Sequence, residues 1–140
     1  MSKLLQRLSD ASRSGVYRAP DSAVEEVLAG SEIDAIRIAL HGALDKEAIL
    51  QRLAHGAGFP EWFGRNWDAA EDCLTDLSWR KPRAGHVLLF SGAQPSDDLG
   101  VLHDVLCAAA DYWQARGTPF FAVFVDPQGA LELPALYRPR

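Results

Sequence analysis

The sequence predicts an α/β fold, a small three-stranded parallel sheet with helices packed on it. Apolar runs occupy residues 33–40, 87–90 and 120–125, amphipathic helical segments lie between them, and Gly or Pro marks the junctions. Strands alternating with helices imply parallel pairing through right-handed crossovers. The second and third runs are apolar at nearly every position, as in strands covered on both faces.

The elements follow in order. Leu4, Leu5 and Leu8 are spaced for a short helix, residues 15–18 read as a strand fragment able to add an edge strand to the sheet, and residues 21–28 read as a capped helix. The first full strand places Ile36, Ile38 and Leu40 at period two. Asp45 can N-cap a helix carrying Ile49, Leu50 and Leu53, with Leu44 and Ile49 as a hydrophobic staple, and Gly56, Gly58 and Pro60 stop it. A shorter helix is predicted over 67–77 with Asn66 as N-cap, and Pro82 marks the loop into the second strand. Ser96 or Asp97 starts a longer helix with Leu99, Leu102, Leu106, Ala109 and Trp113 on one stripe, which Gly117 and Pro119 end before the third strand. Pro127, Pro134 and Pro139 punctuate a tail expected to wrap the surface or hang free. The chain thus divides into an N-terminal extension over 1–32, packed on the core, a central domain over 33–126 and a tail over 127–140.

At 140 residues the chain can bury a core without a disulfide or metal to hold it together. A net charge of -5 with no cluster of Lys or Arg argues against nucleic-acid binding and fits a basic protein partner better. Cys73 and Cys107 are far apart and lack zinc-site spacing, so both are expected as reduced, mostly buried thiols. Residues 1–10 lack the apolar run of a signal peptide, and no segment approaches the roughly 20 apolar residues of a membrane span. The expectation is a cytoplasmic chain, monomeric when free, with no membrane partner.

Catalytic and cofactor motifs are missing. The sequence has no phosphate-binding GxxxxGK[ST] loop and no GxSxG elbow, and its GxG at Gly56 and Gly58 follows a helix, where a C-cap is the better reading. His41, His55, His86 and His103 fall in four different elements with no second ligand read at i, i+4, which points to surface or strand-end roles. His41-Gly42 and Ser91-Gly92 do follow strands, at the end where open α/β sheets bind ligands, although a turn is the stronger reading of Ser91-Gly92. No catalytic residue, metal ligand or cofactor is expected.

Residues 60–75, PEWFGRNWDAAEDCLT, carry the strongest signal. At 100° per residue Asp68, Glu71, Asp72 and Thr75 share one side of the helix, opposite Trp67, Ala70, Leu74 and Leu77. A solvated acidic face is the ordinary explanation, and Asp68 at the second helical position complements the helix dipole. Asp72 and Thr75 have no such local role. Phe63 reads as a lid on the core, whereas Trp62, in a loop pinned by Pro60 and Gly64, reads as a contact of the kind that interface hot spots use.

The pattern P-E-aromatic-aromatic-G-x-N-x-D-A-x-x-D-C-L-T resembles the binding loop and second helix of the barstar family, intracellular inhibitors of secreted barnase-type ribonucleases. The likeness continues more weakly over about residues 33–126. It implies a three-stranded parallel sheet with packed helices, no enzymatic activity, and a basic extracellular-type ribonuclease as partner. In that family the loop and helix plug the enzyme's active site, with carboxylates in the places of RNA phosphates. Asp72 matches the principal acid, Asp68 the second, Trp62 a contacting tyrosine, Thr75 a contacting threonine, Asn66 the helix cap and Cys73 a buried cysteine. Glu71 replaces a tryptophan, Asp76 a glycine and Leu77 a tryptophan, while an acidic contact on the last helix falls at Tyr112, beside Asp111. The predicted partner face is therefore Trp62, Phe63, Gly64, Asn66, Asp68, Glu71, Asp72, Thr75, Asp76 and Tyr112. The alternative is a non-inhibitory interaction or regulatory module that uses the same face.

Overall fold

The computed structural model describes residues 2–61, 63–81 and 84–137. Its sheet has four parallel strands, not three: β1 (Gly15–Ala19), β2 (Asp34–Ala39), β3 (His86–Ser91) and β4 (Phe120–Val125), in the order β1-β4-β3-β2. The 15–18 fragment is a full edge strand paired with β4. It is weak in the sequence because a five-residue edge strand buries only Val16 and Ala19 and carries Tyr17 and Arg18 between them.

Strand direction then arranges the helices. The steps β2 to β3 to β4 run one way across the sheet, and α3 (Lys46–Ala57), α4 (Trp67–Leu74) and α5 (Asp97–Ala115) cover one face. The step from β1 to β2 runs the other way, so a right-handed crossover puts α2 (Ala23–Leu28) on the opposite face, where α1 (Lys3–Leu8) joins it. Ile36, Ile38, Leu88, Phe90, Phe120 and Phe124 point into the first layer, and Val87, Leu89, Phe121 and Val123 into the second. Burial on both faces explains the unbroken apolar runs of β3 and β4. Phe90 and Phe124, paired in register, stack with ring centroids 4.5 Å apart.

Two helix boundaries differ from the sequence expectation. Asp45 caps α3 by accepting from the Ala48 N–H (2.9 Å), but Gly56 does not stop the helix. The helix runs on to Ala57 and is capped by Gly58 in the left-handed region (φ 67°). Gly56 has another role: a Cβ there would lie 2.6 Å from the Arg37 carbonyl oxygen and 2.7 Å from Ile38 Cγ1, so only glycine lets α3 sit this close to β2. The second difference is in α4, which ends at Leu74 instead of residue 77.

Both sheet edges carry contacts from other parts of the chain. On the β2 side, Gly56 packs against the Arg37 carbonyl and Arg52 donates to the Ala39 carbonyl (3.2 Å). On the β1 side, the tail after β4 forms a strap. The Asp126 carboxylate accepts from the Ala130 and Leu131 amides (3.0 and 2.8 Å), and Leu131 is buried against the α5 layer. The Arg18 N–H then donates to the Pro134 carbonyl, the Leu136 N–H donates to the Arg18 carbonyl (both 2.9 Å), and Leu136 is buried in the α1/α2 layer. The tail therefore passes round the edge from one face to the other and covers the open side of β1. Pro82 and Pro139 lie outside the described residues.

Candidate functional site

The entry to α4 is built by short-range geometry. Arg65 adopts a left-handed conformation (φ 54°), Asn66 Oδ1 accepts from the Ala69 N–H (2.7 Å), and Asn66 Nδ2 donates to the Gly64 carbonyl (3.3 Å). The Phe63 N–H donates to the Pro60 carbonyl (3.0 Å), and the half-buried Phe63 ring meets Phe59 edge-on at 4.9 Å. Phe63 is thus the lid on the core that its position predicted. Trp62 lies outside the described residues.

Within α4, Ala70, Cys73 and Leu74 are fully buried and Trp67 is half-buried, which fixes the rotation of the helix. The helix stops because Leu77 takes a left-handed conformation (φ 53°) that turns its side chain into the core while its N–H donates to the Cys73 carbonyl (3.1 Å). Thr75 is the C-cap, and its hydroxyl donates back to the Glu71 carbonyl (2.9 Å), leaving only acceptor capacity for a partner. Asp68, Glu71, Asp72 and Asp76 are exposed, and among the described residues none has an ion pair within 4 Å. Four carboxylates within nine residues therefore face solvent uncompensated. Burial pushes the Cys73 thiol up to about 11, with a further contribution from the Asp72 and Asp76 charges.

The end of α5 locks onto the end of α4. Trp113 Nε1 donates to the Leu74 carbonyl (2.8 Å), and Tyr112, half-buried, meets Trp113 edge-on at 5.3 Å. Tyr112 is the one predicted partner residue not on the 60–76 segment, and it lies next in sequence to Trp113, which bonds that segment at Leu74.

The family model for barstar, the barnase inhibitor, matches residues 33–125. The chain belongs to the barstar family. The match runs from the residue before β2 to the end of β4 and so takes in α4 and its seat on α5, while β1, α1, α2 and the tail strap lie outside it. A comparison with curated proteins finds no match. The family is one of inhibitors, not enzymes.

A charged cluster that the sequence reading missed ties the segment after α4 to the starts of β2 and β3 and to the end of α3. Arg80, just past α4, forms a two-point ion pair with Asp34 (2.6 and 2.8 Å), and His86 Nδ1 lies 3.0 Å from the same carboxylate. Arg80 and Trp79 also donate to the Ala57 carbonyl at the end of α3 (3.2 and 3.1 Å). Burial alone would raise the Asp34 pKa, but hydrogen bonds from His86 and Arg80 and the Arg80 charge outweigh it and hold it at about 2. His86 thus sits at a strand end, as the first residue of β3, but buried against the Arg80–Asp34 ion pair and not on the surface. The available signal was a charged or titratable residue opening each of two apolar strands.

Other chemistry is poorly provided for. His103 and Cys107 do meet at i, i+4, contrary to the sequence reading, with Sγ 3.6 Å from Nε2. Burial and the Asp104 and Asp111 charges raise the Cys107 pKa, the opposite of nucleophile activation. At the strand ends a cavity of about 650 Å³ is lined by His41, Ser91, Gln94, Asp126 and Gln128. The Asp126 carboxylate there is taken up by two tail amides, and His41 packs so closely on Gly92 that a Cβ would fall 2.3 Å from its ring. Among the described residues no three His, Cys, Asp or Glu are grouped to hold a metal, and no helix is long and apolar enough to cross a membrane.

Proposed function

We propose that this protein inhibits a basic barnase-type ribonuclease by laying α4 and the loop before it into the enzyme's active site. The observation that carries the reading is the row of exposed carboxylates at Asp68, Glu71, Asp72 and Asp76, none paired with a cation among the described residues. A cleft built from Lys and Arg to hold RNA phosphates offers carboxylates the same charge-assisted hydrogen bonds. Asp72 and Asp68 take the phosphate positions, Thr75 accepts at the helix end, and Trp62, Phe63, Gly64 and Tyr112 form the surrounding contact. Asn66 acts through the helix it caps. The inhibitor works in the cytoplasm of the producing cell, as a monomer until it meets the enzyme, and needs no cofactor. The strap over β1 supports the monomer, since its hydrogen bonds to Arg18 occupy the edge at which a second copy could add a strand.

The test is RNA hydrolysis by a purified barnase-type ribonuclease titrated with wild type and Asp72→Ala. The substitution is expected to weaken inhibition about 30-fold or more, as for a hot spot worth about 2 kcal/mol. Equal inhibition by both proteins would remove Asp72 from its assigned role. Glu71 and Asp76 make the face more acidic than the family pattern and favour a second reading, a non-inhibitory module binding another basic protein. Full RNA hydrolysis at every concentration of the protein, with the α4 face capturing a basic protein that is not a nuclease, would establish that reading.

A further inference from the structure

We infer that Arg116 makes the partner surface of this chain mixed in charge, and that the ribonuclease it fits carries an Asp or Glu at the rim of its basic cleft, opposite the end of α5. The inference rests on the inhibitor reading of α4 and adds to it the chemistry of the partner's rim. Three contacts place Arg116. Trp113 ties the end of α5 to the end of α4 through the Leu74 carbonyl. Gln114 donates to the Ser12 carbonyl on the β1 side of α5 (3.3 Å), and Tyr112, two residues earlier, lies about 160° away round the helix, on the flank toward α4. The Arg116 guanidinium then sits 3.5 Å above the Tyr112 ring, with Nη1 donating to the Tyr112 carbonyl (3.2 Å).

That arrangement holds a cation in one place without neutralising it. A guanidinium stacked on an aromatic ring keeps most of its five donors free for a planar carboxylate. Arg116 is exposed and forms no ion pair among the described residues, despite the unpaired carboxylates on neighbouring α4. A uniformly basic partner would meet like charge at this edge, at a cost to affinity, whereas a rim carboxylate would be bound and selected. Arg116 also follows the last turn of α5, where a cation complements the helix dipole. A purely local role predicts a change in stability and none in partner choice.

The experiment uses a barnase-type ribonuclease whose inhibition by the full-length protein is already shown to require Asp72, so a failure of the carboxylate face is detected before Arg116 is altered. Dissociation constants are measured for wild type, Arg116→Gln and Arg116→Glu, with urea unfolding of each variant. Each Asp and Glu at the rim of the nuclease cleft is also changed to Lys in turn. The expected result is about tenfold weaker binding by Arg116→Glu, a smaller loss for Arg116→Gln, and recovery of the Arg116→Glu loss by one nuclease Lys variant. Affinity unchanged by Arg116→Glu while Asp72→Ala still weakens binding would overturn the inference. So would a loss that follows unfolding stability and that no rim variant restores.

Discussion

Replacing Asp72 with Asn should stabilise the free protein. Asp72 lies in the last turn of α4, at the negative end of the helix dipole, one turn from Asp68 and four residues before Asp76, and among the described residues it has no ion-pair partner. Relief of the like-charge pair with Asp68 is worth about 0.2–0.5 kcal/mol, and removal of an anion from the helix C-terminus about 0.3–1 kcal/mol. Together they predict a gain of about 1 kcal/mol, or roughly 4 °C in Tm for a chain of this length. Asp68→Asn differs in sign of origin: it relieves repulsion from Glu71 and Asp72 but loses a favourable charge in the first turn, so its net effect should be near zero. Urea unfolding of the three proteins at about 20 mM and about 0.5 M salt separates these terms, because exposed-charge effects shrink with screening. A destabilised Asp72→Asn would refute the reasoning, as would a gain that is the same at both salt concentrations. Destabilisation would mean that the carboxylate has a structural partner, and a salt-independent gain would mean that charge repulsion is not what the substitution relieves.

Three further outcomes follow from packing and linkage. Gly56→Ala should destabilise by about 2 kcal/mol in urea unfolding, since the clash with the Arg37 carbonyl exceeds the roughly 1 kcal/mol helix-propensity gain of alanine. Asp34 has a folded pKa near 2 against 3.8 for the free side chain, so the unfolded chain binds its proton more readily. Its contribution, about 2 kcal/mol, is complete above about pH 4 and is lost as pH falls toward 2, and Asp34→Asn should remove this part of the acid dependence of the urea midpoint. Leu136→Ala should cost about 2–4 kcal/mol although it lies in the tail outside the family match, because the side chain is fully buried between α1, α2 and the sheet. Thermal unfolding of that variant tests whether the tail belongs to the cooperative core.

The parts of the fold legible in the sequence are those set by local pattern. β4 appears as an unbroken apolar run because it is covered on both faces, and α3 and α5 appear through their caps and stripes. The acidic face of α4 was legible because Ala70 and Leu74 fix which side is buried, and therefore which side Asp68 and Asp72 show. What was not legible depends on distant pairing. β1 gains its place only by lying against β4, the strap is defined by bonds to Arg18, and the Asp34–Arg80–His86 cluster joins positions that a linear reading keeps apart. Gly56 was misread for the same reason: its meaning lies in the Arg37 carbonyl across the gap, not in its own helix.

The pairing of β1 with β4 has a consequence for how the molecule is made. Gly15 is in register with Phe121, so β1 has its strand partner roughly 100 residues later in the chain. Closing a loop of that length costs about 4 kcal/mol of chain entropy beyond a constant term, before any contact made by β1 offsets it. The sheet is therefore completed only after β4 has been synthesised, and until then α1 and α2 can cover only the part of their face that residues such as Val87 and Leu89 supply. Folding at this edge should be slow for a chain of this size, with the segment before β2 the most exposed to proteases and to mispairing while it waits.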